Sequence, residues 1–465
     1  MALVIPHPLD RRLAAALPAN ALYAVGGRVR DEFRAQSDPG IAPPKDLDYV
    51  VTGLGLDALV ERLRTVGRVD VVGASFAVVK LSSPEGRADI ALPRRERSTG
   101  VGHRDFAVES GPGVSLEEDL GRRDFRMNMI ARRIGDDAIV DPYGGVADIA
   151  ARRIDIVAPQ AFVEDPLRLL RAAQFAARFG YELSEAARAA MTAAAALVTT
   201  VSPERVCDEL MKLFGLAPRP SIGVEILRTT GLLAHVWPEV AEGVGVDQNA
   251  WHAYDVYRHN LETIDAVPPG DVTLRLAAIL HDVGKPRTKN GPHFYRHEHV
   301  GADMAVQMLE RWRFPNETIA TVEVLVRGHM YGADPQAQPK AIRRFINRIG
   351  PTHLERLFAL RHADIIGSGL PKRTDENERF ERRVAEILAE KPAFSVRDLA
   401  IGGDDVIAFL IAGGAAEPGF RGDHRVGAIL AELFEEVVDD PTRNERHLLA
   451  ERAQRIIGER YGIGT

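Results

Sequence analysis

The stretch Lys45-Asp-Leu-Asp-Tyr-Val-Val51 sets two carboxylates one residue apart at the entrance to an apolar run. Along a strand, residues i and i+2 point to one face, so Asp46 and Asp48 project together while Leu47, Tyr49 and Val51 turn away. Such a pair repels itself unless a counter-charge sits beside it, and a divalent cation supplies one. Oxygen donors of this kind suit Mg²⁺, which takes a few carboxylates plus the phosphates of its substrate. The competing expectation is a turn ahead of the strand that holds both aspartates. Upstream, Val25-Gly-Gly-Arg-Val-Arg-Asp31 places two glycines between a short β run and a helix start. Free backbone N–H groups and the helix N-terminus can meet a phosphate there, with Arg28 and Arg30 as added cationic donors. A Gly-Gly pair alone is no more than a tight turn. Followed within about twenty residues by an Asp-x-Asp strand, it points to phosphate and metal held together.

A second group lies far downstream: His259, the adjacent pair His281-Asp282, His297, His299, His329 and Asp364. A single histidine on an apolar helix is more often a core residue than a ligand. His281-Asp282 differs, because it closes an apolar helix and precedes Gly284-Lys285-Pro286, which sets two ligating groups at a helix end beside a turn. The one cysteine, Cys207, excludes an internal disulfide and a cysteine-rich zinc site. Any metal is therefore held by His, Asp or Glu.

The elements that must position these groups change character along the chain. Up to about residue 150, short β-rich runs ("ALYAVGG", "LDYVVTG", "RVDVVG", "FAVVKL", "ADIAL", "NMIARRI") alternate with helical pieces and glycine turns, the pattern of a small domain mixing strands and helices. From Ala161 onward the spacing is helical, with Ser, Asp and Pro in start positions. In "EDPLRLLRAAQFAARF", Asp165 is expected as N-cap and Pro166 as the first helical residue; Arg168, Arg171, Gln174 and Arg178 share the polar side, opposite Leu169, Ala172, Ala173 and Ala176. By itself this is also the pattern of a core helix with a solvated charged face. Breaks are expected near Pro218, near Lys372 and around Pro392. No apolar stretch is long enough to span a bilayer, and the first residues are too short and proline-interrupted for a secretory leader, so a cytoplasmic protein is expected. The net charge of −7 argues against nonspecific coating of nucleic acid but leaves room for a local basic face.

In order, the blocks "VGGRVRD", "KDLDYVV", "ADIALPRRE", "EDLGRRDFRMNMIA", "DPYGGVADI", "EDPLRLLRAAQFAARF" and "SPERVCDEL" resemble the class II tRNA nucleotidyltransferases, the family of CCA-adding enzymes and bacterial poly(A) polymerases. The resemblance implies that Asp46 and Asp48 hold catalytic Mg²⁺, with Asp89 where a third strand carboxylate would sit. It further implies that Gly27 and Arg30 touch the triphosphate, that Arg123 contacts nucleotide, that Asp165 and Arg168 read the base, and that Arg171 is a further nucleotide contact. Two departures bear on base choice. Arg126-Met-Asn-Met129 stands where the family has Thr-Ile/Val-Asn-Ala, and Gln174 stands where it usually has arginine.

The histidine group resembles the HD superfamily of metal-dependent phosphohydrolases, which implies His259, His281, Asp282 and Asp364 as ligands of Mg²⁺ or a divalent transition metal. His297 and His329 would be second-site ligands or phosphate contacts. The implied architecture is α+β: a polymerase-β-like nucleotidyltransferase head with a small mixed sheet (1–150), then an all-helical neck (151–220), an HD domain (221–390) and a helical tail (391–465). The implied activity is addition of CCA, or part of it, to the 3′ end of tRNA from CTP and ATP, with poly(A), CC-only or A-only synthesis as the close alternatives. A phosphohydrolase acting on 2′,3′-cyclic phosphates or nucleotides is the different-class alternative. For tRNA contact, Arg122, Arg123, Arg132, Arg133, Arg152, Arg153 and the segment "KAIRRFINR" from Lys340 are the candidates. Neither a membrane partner nor a particular oligomeric state is implied.

Overall fold

A computed structural model describes residues 7–38, 40–41, 46–72, 78–98, 106–248, 251–371, 374–390 and 392–461. The chain divides into two compact units. The first runs to Ala241 and includes Pro268–Val272 and Arg311–Phe314; the second comprises Glu242–Val267, Thr273–Glu310 and the chain from Pro315 onward. The break expected at Lys372 falls outside the described residues.

The first unit opens with nine strands: β1 (Leu22–Val25), β2 (Asp48–Val51), β3 (Arg68–Val72), β4 (Val78–Ser83), β5 (Gly86–Ala91), β6 (Arg94–Ser98), β7 (Phe106–Ser110), β8 (Ala131–Arg133) and β9 (Ile139–Val140). Seven form a mixed sheet in the order β3-β4-β5-β2-β1-β8-β9, and β6 and β7 make a separate hairpin that the sequence pattern had not suggested. The pair β2–β5 is parallel, and its register sets Asp48 beside Asp89. The Asp89 N–H donates to the Leu47 carbonyl at 2.9 Å. Val50, on the same face as Asp48, packs with Val25, Leu120, Met129 and Ala131, while Tyr49 and Val51 are buried on the other face. Asp46 lies just ahead of β2 rather than on it, because the ladder starts at Asp48. Asp48 thus sits on the strand as expected, whereas Asp46 precedes it in irregular backbone and neither aspartate lies in a turn.

The helix Leu167–Phe179 buries Leu169, Ala172, Ala173 and Ala176 against the helices Pro203–Leu216 and Pro220–Thr229, leaving its arginines on the far side. It starts one residue later than expected. Asp165 closes the preceding short helix Ala161–Glu164, Pro166 takes the cap position, and the Asp165 carboxylate still accepts the Leu167 N–H at 3.4 Å.

In the second unit, the helices Val256–Ala266, His297–Arg311 and Leu354–Gly367 carry His259, His297, His299 and Asp364, while His281-Asp282 and His329 directly follow the helices Val272–Leu280 and Asn316–Gly328. The tail helices Gly403–Ala412, His424–Asp439 and Arg446–Tyr461 close around their own core of Val406, Leu410, Ile429, Leu433 and Ile456.

Several expected RNA contacts have structural duties instead. Arg132 is 1% exposed and held by Glu32 and Asp137, both through 2.7–2.8 Å ion pairs. Arg133 pairs with Asp136, and Arg153 with Asp148. In "KAIRRFINR", Arg343 donates to the carbonyls of Val438 and Asp439 at 2.6 and 2.7 Å, while Lys340 and Arg344 pair with the Asp439 carboxylate. These cations secure the C-terminal end of the helix His424–Asp439, where the macrodipole favours positive charge.

Candidate functional site

Gly26 has φ +66, so the backbone conformation calls for glycine, and a Cβ there would lie 2.9 Å from Nη1 of Arg123 and displace that flexible guanidinium. The helix Gly27–Ser37 starts on the next residue and points its free N–H groups into a cleft of roughly 820 Å³. Asp48, Arg123, Asp165, Arg168 and Arg171 line the same cleft. Burial pushes the Asp48 carboxyl up; Arg123 opposes this, but Asp89 and Asp46 press in the same upward direction. A half-buried carboxylate crowded by two others is short of positive charge, and an all-oxygen donor set fits Mg²⁺. Among the described residues, the groupings of three ligand atoms within 4.8 Å all lie in the second unit. Asp46, Asp48 and Asp89 do not come together as such a grouping.

Several cationic side chains of the cleft are pinned. Arg168 donates to the carbonyls of Arg122 and Ala161, and Asp165 pairs with Arg205 at 3.3 Å. Arg30 is held by Asp31 at 2.8 Å and donates to Asn128 Oδ1 at 2.9 Å; Asn128 donates to Asp124, whose other oxygen accepts from Arg171 at 2.6 Å. Burial alone would raise Asp124, but Arg171 together with the Asn128 amide and the Phe125 N–H holds the carboxyl low. The chain Arg30–Asn128–Asp124–Arg171 thus joins the phosphate side of the cleft to the arginine helix. Asp124, Asn128 and Arg205 were not singled out from sequence, because their partners lie about forty to a hundred residues away with no shared spacing. Arg28 is not a phosphate donor: it is 2% exposed and locked to Asp10, Tyr49 and Glu32. Arg126 pairs with Asp148 and Asp155, and Met127 and Met129 are core residues, so this departure from the family pattern is accounted for by packing.

In the second unit, His259 and His281 meet at 3.1 Å between their Nε2 atoms, with Asp364 Oδ1 at 3.2 Å and Asp282 Oδ2 at 3.4 Å from His259. On the other side of the same carboxylate, Asp282 Oδ1 lies 3.2 Å from His297 and 3.6 Å from His329. The Nδ1 atoms of His281, His297 and His329 each face a backbone carbonyl at 2.7–2.8 Å. Donation there leaves the inward Nε2 of each ring as a lone-pair ligand. Burial would raise Asp364, yet His259 and His281 keep it well below the usual carboxylate range; burial would likewise raise Asp282, which His281 and Lys285 hold low. Asp282 Oδ2 also pairs with the Lys285 ammonium at 2.5 Å, whereas its buried Oδ1 faces only the two imidazoles. A carboxylate oxygen sealed among imidazole lone pairs fits a cation. His252, seven residues before His259 in irregular backbone, joins His259 and Asp364 in a further three-ligand grouping that no helical spacing announces. His299 stays outside, beside Glu298 and Arg327.

Three segments match family descriptions: 22–155 the "Poly A polymerase head domain", 180–243 the "Probable RNA and SrmB- binding site of polymerase A", and 256–365 the "HD domain". A multifunctional CCA protein of Nitrosococcus oceani is 35% identical over 367 residues, covering 76% of this chain and 86% of its own. One from Ralstonia nicotianae is 38% identical over 323 residues, covering 66% of this chain and 72% of its own. Among solved structures, the Bacillus stearothermophilus CCA-adding enzyme in complex with CTP aligns with a TM-score of 0.67 at 22% identity, covering 98% of this chain and 99% of that one. The Thermotoga maritima CCA-adding enzyme complexed with tRNA aligns with a TM-score of 0.54 at 18% identity, over 97% and 96%. At these identities the structural matches speak to the fold.

Proposed function

Since the chain belongs to the family of the multifunctional CCA proteins, nucleotidyltransferases with a poly(A) polymerase head and an HD domain, we propose that it works as a tRNA nucleotidyltransferase that adds CCA from CTP and ATP through the head cleft. The observation that carries this assignment is the meeting, in one cleft, of the Gly26-Gly27 turn, the Asp48 carboxylate and the Asp165–Arg171 segment. Asp46, Asp48 and Asp89 would hold Mg²⁺, which when bound lowers the pKa of the terminal ribose hydroxyl and neutralises the developing charge on the phosphate. The N–H groups at Gly27, with Arg30 and Arg123, orient the triphosphate for in-line attack. Asp165 and Arg168, fixed by Arg205 and by the Arg122 and Ala161 carbonyls, present hydrogen-bonding groups to the base. Asp48→Ala is expected to lower nucleotide incorporation by about a thousandfold or more while tRNA binding stays near wild type. Labelled nucleotide still incorporated at the wild-type rate would refute the assignment. Incubation with tRNA ending before CCA, and CTP, ATP or both, followed by sequencing of the products, separates full CCA addition from CC-only, A-only and poly(A) synthesis.

A second activity is favoured by the shared Asp282 carboxylate: the HD unit acts as a metal-dependent phosphohydrolase on 2′,3′-cyclic phosphates or nucleotides. His259, His281, Asp282 and Asp364 would hold one divalent ion, and Asp282, His297 and His329 a second. Hydrolysis of a 2′,3′-cyclic nucleotide with Mn²⁺ or Ni²⁺, lost in Asp282→Ala, is the expected result; hydrolysis unaffected by that substitution excludes this site.

A further inference from the structure

Beside the histidine group of the second unit lies a cavity of roughly 280 Å³. Its lining includes Tyr331, two residues past His329, with Arg361 and Asp364 from the helix Leu354–Gly367 and Glu376 and Asn377 from the first turn of the helix Asp375–Ala389. Asp364 belongs to both spaces. Its Oδ1 lies 3.2 Å from Nε2 of His259, among the candidate metal ligands, while its Oδ2 lies 3.3 Å from Nη1 of Arg361, which lines the cavity.

Arg361 stands one helical turn before Asp364, and its side chain is 26% exposed, so a ligand in the cavity can reach the guanidinium. Among the described residues, Asp364 is its single ion-pair partner. A guanidinium carries more N–H donors than that long contact uses. One carboxylate therefore separates the ion position from a cation with donors to spare, and a phosphate group bridges the same span, with oxygens on the ion and an oxygen on the arginine. The remainder of the cavity has the polarity of a sugar site. Glu376 offers acceptors, and Asn377, 7% exposed, offers an amide that both donates and accepts, as hydroxyl groups require. The Tyr331 ring packs against Phe345, Phe358 and Phe380 at centroid distances of 5.2–6.0 Å, which makes one wall rigid. At about 30 Å³ per water the cavity equals about nine water volumes, room for a sugar phosphate but not for a folded strand.

We propose that this cavity is the sugar-phosphate pocket of the HD unit, in which Arg361 grips a phosphate oxygen and Asn377 a ribose hydroxyl, so that the substrate class is a ribose 2′- or 3′-phosphate ester presented one nucleotide at a time. The pocket rests on the phosphohydrolase reading of this unit, since the ion held at Asp364 supplies the other half of the phosphate site.

The test uses the full-length protein loaded with Mn²⁺, as wild type, Arg361→Ala, Arg361→Lys and Asn377→Ala. Each is titrated calorimetrically with adenosine 3′-monophosphate and with inorganic phosphate, and Mn²⁺ content is measured on the same samples. Asp282→Ala serves as the blank, because binding that survives in it belongs to the head cleft. Arg361→Ala is expected to weaken both ligands by about tenfold or more at unchanged Mn²⁺ content, with Arg361→Lys recovering part of the loss because it restores a point charge. Asn377→Ala is expected to weaken the nucleotide by about fivefold and to leave inorganic phosphate alone. Affinities within about twofold of wild type in Arg361→Ala overturn the pocket, and so does a loss that only follows a loss of Mn²⁺, because Arg361 would then act through Asp364 alone. Equal weakening of both ligands in Asn377→Ala overturns its hydroxyl contact. Hydrolysis of a 2′,3′-cyclic nucleotide that persists at wild-type KM in Arg361→Ala overturns the pocket and leaves the phosphohydrolase reading standing. Nucleotide bound through Arg361 by a wild-type protein that hydrolyses none does the reverse.

Discussion

At the scale of single residues, the same side-chain type takes opposite roles according to what neutralises it. Arg28 and Arg30 are two positions apart and both largely buried, yet Arg28 is sealed against Asp10 and Glu32 while Arg30, held by Asp31 and Asn128, borders the cleft. Asp282 shows how much one carboxylate can control. Its Oδ2 faces His259 and His281, and its Oδ1 faces His297 and His329. Removing it should disable both metal positions, whereas His297→Ala should remove one. Metal content measured after saturation with Mn²⁺ and desalting is expected to fall from two equivalents to about none in Asp282→Ala and to about one in His297→Ala. Two equivalents retained in His297→Ala would exclude its role as a ligand.

At the scale of elements, the turn that leads into the helix Gly27–Ser37 is the most constrained piece of the head. Gly26→Ala forces a side chain into positive-φ backbone, φ 66 and ψ −132, at a cost of about 1–3 kcal/mol, and its Cβ displaces the Arg123 guanidinium 2.9 Å away. The expected outcome is a modest loss of stability with a larger loss of nucleotide affinity, because the turn and Arg123 both face the cleft. Equilibrium denaturation and KM for CTP measure the two effects separately. Much of this level is visible from sequence: the glycine pair, the Asp-x-Asp entrance to β2 and the arginine stripe of Leu167–Phe179 each have a local pattern. The β6–β7 hairpin was missed because its runs, "RRERS" and "FAVES", are short and charged, so that neither shows a clean apolar alternation.

At the scale of the whole molecule, long-range ion pairs hold the head together and make it acid-sensitive. Burial would raise the Asp10 carboxyl, but hydrogen bonds from Arg28 and Tyr49 hold it below its ordinary value. A carboxyl with a depressed folded-state pKa contributes stability that is present above its unfolded pKa, about 3.9, and lost as pH falls through the folded value. Asp10→Asn leaves Arg28 buried and under-compensated, so a loss of about 3–5 kcal/mol at neutral pH is expected, together with a flatter acid limb of stability against pH. Urea unfolding at a series of pH values checks both. In the second unit, Mn²⁺ at a hundredfold excess over its Kd should stabilise the folded state by about 2.7 kcal/mol for each occupied site. Calorimetry should show that increment vanish in Asp282→Ala.

The sequence by itself determined the chemistry on offer: paired aspartates, a glycine turn before a helix, an arginine stripe and a His-Asp pair are local patterns, legible because each group lies within a turn or a strand of the next. It also marked the change from strand-rich to helical chain, since hydrophobic period is a local property. Tertiary structure alone decided which charges are free to act. Arg132 finds Glu32 a hundred residues away, and Lys340 finds Asp439 almost as far along the chain. Whether a cation is spent on the fold or left for a ligand depends on such distant partners, and no spacing rule encodes them. The same holds for Arg178, which shares the Phe179 ring with Arg30 and Arg34 only because the helices Gly27–Ser37 and Leu167–Phe179 meet there.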